Sequence, residues 1–430
     1  MPINPELGFT AAEIRDPERF VGRTGLLKDC INALNAPSGL IAVYGKRGVG
    51  KSSLLRQLQQ MALGDYSLVK KAQLAHLIPE KPRTYLTVFY SCDSLITDSN
   101  GLLARLCNDQ NDEDGLLRLV PDDGKEIVEF TRSKEVSAGA DLKVVNWGAK
   151  GIEATKYARV VPNDTVQTFR NFVEAVISHQ VRKRMKRDAL LIILDEFDVI
   201  QNKEGMGSLF KSLTSADLKF AICGVGRDLS DLVNDHHSVE RLIEQGVLPV
   251  KPMPKPESEA IIGKAVELFR GAVTFEPGIA GKIADLCQGY PYFVQLIGKQ
   301  CINVLNEMGS NIVDEEVYSR VLNELKTGKA FPTLEAAYQR AIGESKDRQL
   351  LLHLLADQDT SHVSADEVGR IVLRTARKDA EDLDVQYIDQ LMPRLIEQKY
   401  GPVLERVAEK QGVYEFVNPV FRQYICLREF

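Results

Sequence analysis

The run "GKRGVGKSS", Gly45–Ser53, follows the apolar stretch "GLIAVY" and sets Gly45, Gly50, Lys51 and Ser52 at the spacing G-x-x-x-x-G-K-S. Glycines at such a turn let the backbone wrap an anion and aim successive N–H groups at it. The helix-period stretch "KSSLLRQLQQM" that follows turns its positive N-terminal end on the same anion. A phosphate chain suits this arrangement. Lys51 would reach the β- and γ-phosphates, and the Ser52 hydroxyl would ligate Mg²⁺. The expected cradle is the whole run: Gly45, Lys46, Arg47, Gly48, Val49, Gly50, Lys51, Ser52 and Ser53.

A second run supplies acids. "LLIILDEFDVI" is a continuous apolar strand pattern ending in Asp195 and Glu196, and parallel α/β sheets place their ligands at the carboxyl ends of strands. Asp195 fits the Mg²⁺-organising carboxylate, acting through water. Glu196, one residue on, points differently and fits the base that polarises an attacking water. Asp198 is expected as a surface or partner contact. Guanine-reading enzymes carry N-K-x-D after a later strand. Here Asn202–Lys203 is followed by Glu204–Gly205 and sits directly after the Asp195 strand. ATP, with Mg²⁺, is therefore the expected nucleotide.

These groups need a sheet to hold them. Strand patterns fall at Leu40–Tyr44, Tyr85–Tyr90, Leu190–Leu194, Phe220–Val225 and Val247–Val250, alternating with helical patterns. That alternation predicts an α/β core with a parallel sheet over residues 1–254. The runs at 40, 190 and 220 are apolar throughout, as central strands covered on both faces should be. Some sixty residues, about 108–166, form an insertion whose loose alternation at Val136, Leu142, Val144, Trp147 and Ile152 suggests a hairpin. Pro252, Pro254 and Pro256 then end the strand pattern. Residues 255–330 show apolar positions at three- and four-residue spacing, which predicts a helical lid domain. In 331–430, helical stretches at "DRQLLLHLLAD", "SADEVGRIVLR" and "VQYIDQLMPRLIEQ" precede two strand patterns, "PVLERVA" and "VYEFV". That order predicts a winged-helix-like domain.

Composition narrows the class. The chain has 430 residues, 44% hydrophobic and 27% charged, with a net charge of −6. This balance disfavours a generally basic, nucleic-acid-coating surface and leaves room for one local patch. Seven cysteines are scattered without a C-x-x-C pair, as expected of reduced core thiols. "MPINPELGFT" lacks the basic and apolar regions of a leader, and the longest apolar run, "ALLIIL", is too short to cross a bilayer. A cytoplasmic protein with no membrane contact is expected.

Further motifs resemble those of AAA+-related ATPases of the STAND type, across residues 18–330 and more weakly to 430. "RFVGRTGLLKDCINAL" resembles the F-V-G-R entry that packs beside adenine, here on Phe20, Val21 and Arg23. "FAICGVGRD" resembles the sensor-1 strand, with Arg227 towards the γ-phosphate, although sensor 1 is more often a small polar residue. "SVERLIEQGVLPVKPM" resembles the segment that carries an arginine finger, and Arg241 occupies that place. "CQGYPYFVQLIG" resembles the G-x-P signature of the lid, on Gly289, Tyr290 and Pro291, where Pro fixes a helix start. The insertion at 108–166 departs from the pattern.

The resemblance implies a regulatory ATPase, a nucleotide-dependent switch whose lid and C-terminal cap ATP–Mg²⁺ would clamp to the core. Such proteins act in bacterial signalling or antiphage defence beside a separate effector, so a protein partner and homo-oligomerisation on ATP binding are implied. The alternative is an AAA+-like DNA-binding ATPase of the initiator or transposition-regulator type. Charge weighs against it: residues 331–430 hold thirteen Lys and Arg against seventeen Asp and Glu, whereas DNA-reading domains are normally basic. The basic run "VRKRMKRD" (Arg182, Lys183, Arg184, Lys186 and Arg187) precedes the Asp195 strand. It therefore lies on the opposite sheet edge from the phosphates, as a solvated helix end.

Overall fold

A computed structural model describes residues 2–37, 39–108, 115–116, 119, 127–128, 158–159, 165–233, 246–357, 363–364, 385–407 and 413–429. The chain divides into two compact units. One comprises Glu13–Gly45 and Lys51–Lys251; the other comprises Met1–Ala12, Lys46–Gly50 and Pro252–Phe430.

The first unit is built on a five-stranded sheet of β1 (Leu40–Gly45), β2 (Tyr85–Ser91), β3 (Ala189–Asp195), β4 (Leu218–Val225) and β5 (Val247–Pro249). All five lie where the sequence patterns put them. Their spatial order is β2-β3-β4-β1-β5, every neighbouring pair parallel. The three apolar runs are the three inner strands, and every residue of β3 is buried. Helices α1 (Thr24–Asn35), α2 (Lys51–Ala62), α3 (Ser99–Asn108), α4 (Thr165–Val176) and α5 (Met206–Leu213) surround the sheet. Phe169, Phe197, Phe210 and Phe220 meet in one aromatic cluster, with centroids 5.0 Å apart for Phe210 and Phe220. Each such ring buries roughly 150–250 Å², and the cluster packs α4 and α5 against β4, next to the strand that ends in Asp195.

The basic run is a helix end. Helix α4 continues into a wider-turned stretch, Ile177–Arg184, with Arg182, Lys183 and Arg184 in its last turn. Arg182 pairs with Asp217 at 2.7 Å, and Arg187 donates to the Leu63 carbonyl.

In the second unit the four helical patterns become α6 (Lys255–Leu268), α7 (Ile279–Cys287), α8 (Pro291–Met308) and α9 (Glu315–Lys326). A short parallel ladder, Thr274–Phe275 with Ile312–Val313, joins them and had no sequence signal. Phe9 fills a notch that Gly298 leaves in α8; a Cβ there would come within 2.3 Å of the ring. Beyond these lie α10 (Pro332–Ile342), α11 (Lys346–Ala356), α12 (Val385–Arg394) and α13 (Pro419–Leu427). The three strands Val363–Ser364, Val413–Phe416 and Leu404–Arg406 pair antiparallel in that spatial order. Of the expected helix "SADEVGRIVLR", Ser364 lies in a strand and residues 365–374 lie outside the described residues, as do the insertion positions Val136, Leu142, Val144, Trp147 and Ile152.

Candidate functional site

The acids stand at the carboxyl edge of the sheet. Asp195 closes β3 with only 6% of its surface exposed, while Glu196 is exposed. The two diverge because Glu196 takes a left-handed backbone conformation, φ 53° and ψ 33°, which is uncommon for a residue with a Cβ and is met chiefly at functional turns. The Asp195 carboxylate accepts the Glu196 N–H at 2.9 Å. Ser91 Oγ, at the end of β2, donates to Glu196 Oε2 at 3.3 Å. Sequence reasoning missed Ser91, since nothing in "YSCDS" marks the residue that faces the acid from the next strand.

The sheet relates these acids to the phosphate loop. Gly45, its first residue, pairs with Val225 of β4, and β4 lies between β1 and β3. Asp195 follows Leu194, which pairs with Ile222, so it stands level with Cys223 and, beyond it, Val43. With strands about 4.8 Å apart that is roughly 10 Å across the sheet, and Gly45 lies two residues further along β1. Cys223 of β4 reports charge from both sides. Its thiol is pushed well up by burial and then by the Asp195 carboxylate, with Lys51 pulling the other way. Lys51 and Ser52 open α2, where backbone N–H groups have no intrahelical acceptor. Ser53 Oγ instead accepts the Ile14 N–H at 3.0 Å and anchors the N-terminal segment.

Asp198 is half-buried and has an internal role besides any contact it makes at the surface: its carboxylate accepts the Val225 N–H at 2.8 Å and ties down the end of β4. Gly224 permits this approach, because a Cβ there would meet Asp198 Oδ1 at 2.8 Å and Leu232 at 2.7 Å.

The remaining residues of this unit are placed as follows. Phe20 is buried, and Val21 is half-buried. Arg23 caps the start of α1 in a left-handed conformation and donates to the Lys251 carbonyl. Arg227 pairs with Asp231, both through its backbone N–H at 2.7 Å and through its guanidinium. Arg241 lies outside the described residues.

The loop residues Lys46–Gly50 belong to the second compact unit. Gly48 and Gly50 have φ 81° and 94°, conformations that residues with a Cβ rarely adopt. Gly48 also meets neighbours: a Cβ would come 2.9 Å from Val420 Cγ2 of α13, and its carbonyl accepts the Tyr292 N–H at 3.3 Å. Pro291, the first residue of α8, approaches Gly50. Tyr290 precedes it, its hydroxyl pKa pushed up by burial. Lys46 Nζ pairs with Glu415 of the strand Val413–Phe416. Arg47 is exposed, and Val49 is fully buried.

The donor set suits a nucleotide carrying Mg²⁺. That ion keeps several waters and takes one or two protein oxygens besides phosphate; the Ser52 hydroxyl would supply one, and the buried Asp195 carboxylate would act on its waters. Among the described residues no cluster of three or more His, Cys, Asp or Glu could hold a metal by itself. None of their helices is long and apolar enough to cross a membrane.

A family model described as Novel STAND NTPase 1 matches residues 5–297, more than half of the chain. No curated protein matches. Among solved structures the chain is similar to the ORC1 protein of Aeropyrum pernix in complex with DNA, at 10% identity, 97% of this chain, 93% of that one and a TM-score of 0.43. It is similar to the RuvB Holliday junction branch migration motor of Thermotoga maritima, at 12% identity, 95% and 96% coverage and a TM-score of 0.43. Cdc6p of Pyrobaculum aerophilum follows at 12% identity, 96% and 99% coverage and a TM-score of 0.41.

Proposed function

The chain belongs to the Novel STAND NTPase 1 family, and on that premise we propose that it binds and hydrolyses ATP as a switch controlling a protein partner or effector. The observation that carries the switch reading is the membership of Lys46–Gly50 in the same compact unit as the lid and the C-terminal elements. A loop held by Pro291, Tyr292, Glu415 and Val420 cannot change its ligand without disturbing those neighbours. The readout would pass through the lid (255–330) and a winged-helix-like domain (331–430).

In this reading the backbone of Gly45–Ser52 and the Lys51 ammonium bind the phosphates. Ser52 directly, and Asp195 through water, would hold Mg²⁺, which would supply charge neutralisation to the phosphates. Glu196 accepts a proton from the attacking water, and Ser91 orients its carboxylate. Phe20, Val21 and Arg23 border the base. Arg241 reaches a neighbouring copy once ATP has brought protomers together. The acidic balance of residues 331–430 favours a protein over DNA as the partner.

Isothermal titration of ATP, Mg²⁺ present, into wild type and Lys51→Ala tests the binding step. Binding by the wild type and loss in the variant is expected; equal binding by both would remove the loop from the account.

A further inference from the structure

The C-terminal sheet places a buried carboxylate on the phosphate loop. Glu415 is in the middle of its strand, its side chain only 2% exposed, and pairs with Lys46 Nζ, itself 26% exposed. Glu405 stands directly opposite Glu415 in the antiparallel ladder, so the two strands set two carboxylates on one face. Lys46 supplies the opposing charge. Val420 against Gly48, the Tyr292 N–H on the Gly48 carbonyl, and a hydrogen bond between Gln423 and Gln288 complete the contact around the loop.

A carboxylate in that position is a poor neighbour for phosphate. Triphosphate on the loop would bring several negative charges near a carboxylate that water barely screens, and like charges at short range in a low dielectric repel strongly. Phosphate would also draw on Lys46, the cation that holds Glu415. We propose that Glu415 is a built-in competitor of nucleotide phosphate: it docks the C-terminal sheet on the loop, and nucleotide binding and that docking weaken each other. This rests on the reading of Gly45–Ser53 as a nucleotide site. It also reverses the direction expected from the family resemblance, because the C-terminal elements are held before ATP arrives and loosened by it.

Coupling of this kind is reciprocal. Glu415→Gln keeps the side-chain shape and an acceptor for Lys46 but removes the charge. Its ATP affinity should rise about tenfold, inside the 5–150-fold span usual for such couplings. In the full-length wild type, ATP should speed amide hydrogen exchange in Val413–Phe416 and Pro419–Leu427, and Glu415→Gln should show a smaller change. If the wild type binds ATP while Glu415→Gln binds it equally or more weakly, the competition is refuted and the nucleotide site stands. Slower exchange on ATP addition would refute it equally, and that measurement decides the matter should the variant not fold. If neither protein binds ATP, the nucleotide reading falls, and this inference with it.

Discussion

Ser91 and Glu196 face each other from adjacent strands, with Ser91 Oγ donating to Glu196 Oε2 at 3.3 Å. The register sets Ser91 beside Asp195, so the left-handed turn at Glu196 swings its carboxylate back over the neighbouring strand. A carboxylate held by one hydroxyl is oriented yet free to move, as the proposed base would need to be. Glu196→Gln should keep ATP binding and lose turnover by about 10²–10⁴-fold, the usual worth of a positioned base. Ser91→Ala should lower kcat with ATP affinity unchanged, and Ser91→Thr should restore it. Equal phosphate release by wild type and Glu196→Gln would remove Glu196 from this role.

The Asp198–Val225 hydrogen bond holds β4 at the level where Val225 pairs with Gly45. Asp198→Ala leaves that N–H without its acceptor, which costs about 1–3 kcal/mol. Asp198→Asn retains an acceptor and should cost less than half as much. Gly224→Ala should be worse than either, because its Cβ would crowd both the Asp198 backbone and Leu232. Chemical denaturation of the three variants gives the ranking. Asp198→Ala as stable as wild type would mean that the strand end is held by other contacts.

How much of this was legible depends on sequence distance. The strands announced themselves because buried parallel strands must be apolar along their whole length, as "LLIIL" and "FAICGV" are. Gly45–Ser52 and Asp195–Glu196 were legible because each is a short local pattern joined to such a strand. Strand order was not, since no local property of "TYLTVFY" says that it pairs with β3 rather than β1. The Lys46–Glu415 pair spans 369 positions, and Glu415 sits in "VYEFV", where alternation alone predicts an outward, solvated side chain. The Asp198 acceptor role was not legible for the same reason: it depends on Gly224, which lets β4 come close.

Arg241 carries the oligomer prediction. If its guanidinium completes a neighbouring copy's site, Arg241→Ala lacks the finger but keeps a sound loop, whereas Lys51→Ala lacks the loop but keeps a sound finger. Each alone should be inactive, and mixing them should restore part of the turnover. Wild-type turnover per protomer should also rise with protein concentration. Turnover that is independent of concentration, with no recovery on mixing, would place Arg241 outside the chemistry.

Lys219 gives a pH dependence of stability that is independent of nucleotide. Its ammonium is buried, 2% exposed, beneath the C-terminal end of α1, where it donates to the carbonyls of Ala33 and Ala36 at 2.7 Å each and of Leu34 at 3.4 Å. Burial, and then the nearby Arg83, lowers its pKa to about 7, against about 10.4 in an unfolded chain. Below pH 7 the amine is charged in both states, so the cost of burying the charge is present in full. Between pH 7 and about 10 the folded chain has released a proton that the unfolded chain still holds, and stability therefore rises with pH. The buried thiols of Cys30 and Cys107, pushed up by burial, act in the opposite sense above about pH 8.5, equally in wild type and variant. The difference between wild type and Lys219→Met isolates the lysine. Lys219→Met should be less stable overall, because the Ala33 and Ala36 carbonyls lose this donor while the Leu34 carbonyl keeps the Tyr85 hydroxyl. Its unfolding free energy should also lack a rise of up to about 1.4 kcal/mol per pH unit, the limit for one proton. Urea denaturation of both proteins at pH 7 and pH 8.5 measures this, and parallel pH dependences would show that Lys219 does not titrate in that window.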